Sequence, residues 1–487
     1  MKRYKHNLSH YNLVSGHPGY LLPVGCVEVL PGDTFDHSAS VLLRMSPLMT
    51  PVMHPVHVRV HHFYMPTRLL MDDWEDFITG NDPDAVIPQI TVAADPTTQP
   101  LLDYLFIPPV TGLVVNDLKV RMYNSVFNEY YRDQDLVTER SLTDVSLARI
   151  AWEKDYLSSA RPWAQKGADV VLPLGTRAPI KGIGLDNNTV FSGSNVSVYE
   201  TDGTGSVNYV SAAETSTNTI YIEQDPDNPG FPNAYADLSL ATPPNILDVR
   251  RAFALQRYEE ARARYGSRFV EYLRYLGIRP SDARLQRPEY LGGGKQTISF
   301  SEVLQTAVGE DEENVVGTMR GHGIAATKSR RYRRFFEEHG FVMSLLSVRP
   351  RAMYMNGVHR TDLRRTKEDF YQKELELIGQ QEIMLNEVYA TSGAPGYASW
   401  NAYADRYRDY REHPSQVSGE FRSLLADWHM ARDFGMTPPT LNGAFVTCDP
   451  TNRIYADQTG TDTMYMMVNH RLVARRLVMR NPTPRVL

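Results

Sequence analysis

The 487-residue chain carries 51 Lys+Arg against 57 Asp+Glu, a net charge of −6, with 42% hydrophobic and 10% aromatic residues. That balance excludes wholesale disorder and makes the chain a poor candidate for neutralising a polyanion by itself. No apolar run approaches the roughly 20 residues of a membrane span, and two cysteines, Cys26 and Cys448, cannot supply a disulfide framework or a structural zinc site.

Within the basic residues, 41 are Arg and 10 are Lys, and the chain has 28 Tyr and 18 Met. Arg, Tyr and Met are enriched in buried protein–protein interfaces, and Lys is depleted there. Codon bias in a G+C-rich genome explains the arginines but not the tyrosines. The charge is also unevenly spread. The 68 residues between Lys181 and Arg250 hold no Lys or Arg and nine acids, whereas residues 250–295 hold eleven basic groups.

The start, "MKRYKHNLSHYNLVSGHPGY", is basic with no apolar core behind it, so it reads as an arm over 1–18 rather than a secretory signal. "VEVLPGDTF" (27–35) predicts a strand closed by a Pro-Gly turn. "VHVRVHHFYMP" (56–66) alternates apolar and polar residues, the pattern of a half-buried strand, with Pro51, Pro55 and Pro66 around it. "MDDWEDFITG" (71–80) reads as a short helix with acids at its start and Gly at its end. In "NDLKVRMYNSVFNEYYRDQDL" (116–136), Leu118, Met122, Val126 and Tyr130 recur every fourth residue, so this is an amphipathic helix. Segment 184–240, rich in Ser, Thr, Asn and Gly, reads as an exposed surface insertion. A helical insertion over 245–279 follows, capped by Asn245 and broken at Gly266. The tail returns to strand at "TDTMYMMVNHRLVARRLV" (461–478). Strands open and close the chain, a layout that suits a β-sandwich whose first and last strands pair.

Motifs that could carry chemistry fail on their requirements. Gly292-Gly293-Gly294-Lys295 lacks the Ser/Thr that would hold magnesium in a phosphate loop. "GHGIAA" (321–326) lacks a βαβ context. His54, His57, His61 and His62 lack partner carboxylates or thiolates, which favours imidazoles on an exposed or interfacial strand face over a metal site. The acids of "MDDWEDF" spread around a helix start instead of facing one pocket. No nucleophile elbow or Cys-His arrangement occurs. "KSRRYRRFF" (328–336) interleaves Arg with aromatics, as single-strand nucleic-acid grooves do, but a solvated or inter-subunit face is the favoured reading. The expectation is a non-enzyme with no cofactor and no metal.

Several blocks occur in one order: "EVLPGDTF" (28–35), "MPTRLLMDDWEDF" (65–77), "NEYYRDQDL" (128–136), "ARPWAQKG" (160–167), "SDARLQRPEYLGG" (281–293) and "EEHGFVMSLLSVRP" (337–350). Together they resemble the major capsid protein of the Microviridae, in the gokushovirus-like branch, from about Gly19 to Phe434. The resemblance implies a mainly β fold, an eight-stranded viral jelly roll with long helical and loop insertions, occupying 19–487. It also implies a small icosahedral (T=1) virion shell with pentameric assembly units around a circular single-stranded DNA genome, assembled in the bacterial cytoplasm. A DNA pilot protein and an internal scaffolding protein are further partners it implies; membrane association is not expected. The sequence departs from the family at Arg161-Pro162-Trp163-Ala164, where Leu-Pro-Trp-Pro is usual. The insertion that builds a three-fold protrusion in gokushoviruses falls at 184–240, and here it is rather short.

On that reading Trp163, Gln165, Lys166, Arg284, Arg287 and Tyr290 are candidates for subunit contacts. Tyr199, Tyr209, Tyr221 and Tyr235 are candidates for a host-facing loop that meets a bacterial surface receptor. Lys2, Arg3 and Lys5 are candidates for contact with DNA, alongside a small basic DNA-binding protein that the net charge calls for. The competing reading is a soluble β-sandwich carbohydrate-binding module, prompted by the Ser/Thr/Tyr-rich insertion.

Overall fold

The computed structural model describes residues 2–93, 95, 98–168, 170, 246–306, 316–460 and 462–480, together with short strand backbones between 180 and 236. It divides into two compact units, Met1–Lys166 with Glu260–Leu487, and Gly167–Glu259.

The first unit is built on two antiparallel sheets. The strands of these two sheets are β1 (Tyr4–Asn7), β2 (His10–Gly16), β3 (Leu21–Val29), β4 (Thr34–Met45), β5 (Val56–Pro66), β6 (Glu289–Thr297), β7 (Ser299–Leu304), β8 (Met319–Lys328), β9 (Tyr332–Phe335), β10 (Gly340–Pro350) and β11 (Met464–Arg476). One sheet runs β11–β4–β8–β7, with β1 and β2 both pairing β11 and β9 pairing β4; the other runs β3–β10–β5–β6. The pairings nest. The opening strands pair with the last, β11; β3 pairs with β10, β4 with β8, and β5 with β6. The two antiparallel sheets form a sandwich-like arrangement, with the strands of each half pairing in nested order.

Period-2 alternation places each side chain. Val56, Val58 and Val60 of β5 meet Leu22 and Val24 of β3, Leu346 and Val348 of β10, and Val41, Leu43, Met464, Met466 and Val468 from the facing sheet. All are buried, each worth about 1.5–3 kcal/mol. The other face of the β3–β10–β5–β6 sheet is buried too. Phe63, Met65, Phe341, Met343 and Leu345 pack against Met122 and Val126 of a helix, Trp152, Tyr156 and Tyr354 of long loops, Trp400 of a short strand (Ser399–Asp405) and Phe445 of a short helix (Gly443–Val446).

The helices follow the predicted pattern. Trp74–Thr79 (α1) ends on Gly80 in the left-handed conformation. Leu118–Tyr130 (α2) stops six residues before the end of the predicted stretch, because Asp133 is drawn into an ion-pair cluster instead. Its Tyr123 hydroxyl donates to the Leu21 carbonyl at 2.8 Å and accepts from the Ala148 N–H, a buried pin joining helix and sheet. Ile246–Tyr265 (α3) and Phe269–Tyr275 (α4) are separated at Gly266, whose φ is +95°.

Two expectations are corrected. Residues 4–7 and 10–16, read as part of an arm, are strands paired along β11. The four histidines do not lie on one exposed or interfacial strand face: His54 precedes β5 and is buried against the Arg351 carbonyl, and His62 is buried because the even-numbered residues of β5 point between the two sheets. In the second unit, strand pairs join 195–199 to 206–210, 183–185 to 220–222, and 180–181 to 235–236.

Candidate subunit-contact and genome-facing surfaces

The glycine run sits in β6, where the chain passes between two other strands. Gly292 has φ +127° beside a bulge in the pairing with β5. A Cβ at Gly293 would collide with the Val60 carbonyl oxygen, and one at Gly294 would stand 2.5 Å from the Lys328 carbonyl oxygen. The glycines permit close backbone approach. Gly321 plays the same part in β8, where a Cβ would stand 2.5 Å from the Thr50 carbonyl oxygen.

Arg287 is held within the chain: its guanidinium lies 2.8 Å from Asp282, 3.5 Å from Glu129 and 4.9 Å from the centre of the Tyr130 ring. Lys166 is 3.0 Å from Asp135 and 5.4 Å from the centre of the Trp163 ring. Trp163 is half-buried, and its indole N–H is buried without an acceptor among the described residues. Gln165 is half-buried beside them. Arg284 is exposed and Tyr290 is 46% exposed, so of the six candidates these two reach the surface most openly.

The cluster around Lys166 includes more than the sequence reading named. Asp133, buried, and Asp135, half-buried, gather Lys154, Arg161, Lys166 and the Ser267 hydroxyl. Burial pushes both carboxyls up. The cations and hydrogen bonds outweigh it and hold both below the usual carboxylate range. Arg161 pairs with Asp135 at 3.1 Å and Asp133 at 3.6 Å, while its backbone bridges Tyr403.

A second cluster lies between the sheets. His37 and His470 share a hydrogen bond at 3.1 Å, His62 bonds the Ser344 hydroxyl at 2.8 Å, and His10 stacks on His470 with centroids 4.8 Å apart. His37 also meets the Tyr332 hydroxyl at 3.0 Å, and His470 meets the Val24 carbonyl. Burial lowers His37 to about 3 and His470 to about 4, with neighbouring imidazoles adding to the effect. The His37, His62 and His470 rings are neutral polar core. Among the described residues no group of His, Cys, Asp or Glu is arranged to hold a metal ion.

At the N-terminus, Arg3 donates to the Gly32 carbonyl at 2.9 Å and lies over the Phe335 ring, Lys2 lies over Tyr4, and Lys5 is exposed opposite Arg475. Tyr199, Tyr209, Tyr221 and Tyr235 stand on the short strands of the second unit, and the surroundings of their side chains lie outside the described residues.

The comparison with known proteins decides what this sandwich is. A model of the family described as capsid protein (F protein) matches residues 1–482. The chain belongs to this capsid protein family. It is 31% identical over 452 residues to the capsid protein VP1 of Bdellovibrio phage phiMH2K, spanning 88% of this chain and 84% of that protein. It is 30% identical over 525 residues to the capsid protein VP1 of Chlamydia phage 1, spanning 90% and 88%. Capsid protein VP1 of Spiroplasma virus 4 is 27% identical over 481 residues, spanning 90% and 86%. The microvirus resemblance read from the sequence blocks therefore holds, and the chain is a structural component of a phage virion. The carbohydrate-binding alternative finds no support. No helix among the described residues is long and apolar enough to cross a membrane.

Proposed function

We propose that this capsid protein is the repeating subunit of a T=1 icosahedral shell, assembled through pentameric units around a circular single-stranded DNA genome. Its full-length match to a capsid family carries the reading. Closed symmetry turns many modest contacts into a stable shell, and Arg284 and Tyr290 are the first candidates for those contacts. A small basic DNA-binding protein supplies cations that a chain of net charge −6 lacks. A DNA pilot protein and an internal scaffolding protein are further proposed partners. Segment 184–240, without Lys or Arg, is proposed as the host-facing surface, its four tyrosines offering contacts to a bacterial receptor. Sedimentation and electron microscopy of the expressed chain test the core of this proposal. Closed shells or pentamers support it, and a persistent monomer at high concentration contradicts it. Deleting 190–235 behind a Gly/Ser linker tests the host-facing part: particles that assemble but no longer adsorb support it, and normal adsorption overturns it.

A further inference from the structure

The roofed face of the β3–β10–β5–β6 sheet changes character at one end. Around Phe63 and Met65 it is apolar, but at the start of β5 the same face carries His57 and Arg59. Register sets Lys295 of β6 beside Arg59, and Arg349 of β10 beside His57. Residues in register share a face, so three cations stand together on adjacent strands, where like charges repel. One carboxylate answers them. Glu153 lies 2.5 Å from Arg59 and 3.9 Å from Lys295. Burial pushes Glu153 up, yet Arg59, Arg349 and Lys295 outweigh it and hold the carboxyl below its usual range. The Nε–H groups of Arg59 and Arg349 are buried with no acceptor among the described residues.

A cavity of about 410 Å³ opens beside this cluster, lined by residues 153–156 and 412–415 together with His57, Lys295 and Arg351. Its acids are each engaged by a group outside the lining. Arg59 holds Glu153, the Tyr354 hydroxyl and the Ser158 N–H hold Asp155 at 2.8 and 2.7 Å, and Arg408 holds Glu412 at 2.8 Å. Lys154 is likewise taken up by Asp133. The two remaining cations of the lining are exposed. Lys295 has no acid nearer than Glu153, and the Arg351 guanidinium has no partner among the described residues.

We infer that this cavity binds a small dianion of the phosphomonoester class. Lys295 and Arg351 meet the phosphate oxygens, and Arg59 and Arg349 supply the surrounding positive field. Four cations against one carboxylate leave an excess that a group of charge near −2 largely balances. A cation would be repelled, and a neutral ligand would leave the like charges uncompensated. The volume falls within the range of small-molecule sites, roughly 300–1,000 Å³, so an organic group fits beside the phosphate. Every group named belongs to one subunit, and the site is complete without a shell.

Calorimetric titration of the purified full-length chain with ribose 5-phosphate tests this, with ribose and ionic-strength-matched sodium chloride as controls. Saturable binding of ribose 5-phosphate and none of ribose is expected. Lys295→Gln and Arg351→Gln should each weaken it about tenfold, as the loss of one charge-assisted hydrogen bond does. Lys367→Gln, outside the cavity, should change nothing. A readout on the wild-type chain needs no variant: ribose 5-phosphate should slow acetylation of Lys295, followed by mass spectrometry, and leave that of Lys367 unaltered. No saturable binding at millimolar concentration, or equal protection of both lysines, overturns the inference. Binding of inorganic phosphate without binding of ribose 5-phosphate overturns the monoester class. Protection of Lys295 by oligothymidylate alone overturns it too, and assigns these cations to nucleic acid. Loss of particle formation in the Lys295→Gln, Arg351→Gln double variant would place them in a subunit contact, which also contradicts the inference.

Discussion

The two sheets of the sandwich treat their outer faces in opposite ways. The β3–β10–β5–β6 sheet is roofed by the chain's own α2 and long loops, so β10 is buried along nearly its whole length. The β11–β4–β8–β7 sheet leaves Tyr11, Leu13, Tyr465 and Met467 in the open, ringed by arginine and lysine. Both faces carry apolar side chains, and only one is covered by its own subunit. Exposed apolar surface of that kind marks a binding face. The roofed sheet holds the subunit together, and the bare sheet is left for something else.

Substitutions should separate the two. The largest loss is expected under the roof. Phe63→Ala should cost about 3–5 kcal/mol through the cavity it leaves, read as a fall in the urea midpoint. Asp409→Ala should destabilise by a similar ~3–5 kcal/mol, since it strands the Arg364 guanidinium in a site where both side chains are buried.

Acid should act between the sheets. His37 and His470 have folded values of about 3 and 4, below the ordinary value of 6.5. Between those values and 6.5 the unfolded chain binds more protons than the folded one, so stability is full above pH 6.5 and falls as pH drops toward 4. Thermal unfolding followed across that window should show the decline. His37→Asn should flatten it, and an unchanged slope would remove this cluster as the cause. The smallest effect is expected on the bare face, where Leu13→Ser should alter stability by no more than about 0.5 kcal/mol while removing part of the patch.

The sequence made some of this contrast legible. The alternation of Val56, Val58 and Val60 marked β5 as a strand, the four-residue spacing of Leu118, Met122 and Val126 marked α2, and the Gly266 break fell between α3 and α4. The pairing of opening and closing strands also followed from their placement. The identity of residues 4–16 did not, because their partner β11 lies some 460 residues away and short polar strands look like an arm until paired. Nor did the burial of His62, since local alternation does not reveal that a second sheet lies above it. The basic face was only half visible. "MYMMVNHRLVARR" alternates buried Met464, Met466 and Val468 with Tyr465, Met467 and Asn469, yet only the register joins Arg471 and Arg475 to Lys5 and Lys328. Among the proposed contact residues, Arg287 and Lys166 proved to have partners within the chain, and no sequence signal separates an arginine held by Asp282 from one that awaits a neighbour.

A cryo-electron-microscopy reconstruction of particles assembled with single-stranded DNA would test the central claim most directly. The account predicts a closed shell built from copies of this one subunit, each keeping the outer face of its β3–β10–β5–β6 sheet covered by its own α2 and loops. Irregular aggregates without closed symmetry, or subunits that uncover that sheet on assembly, would contradict it.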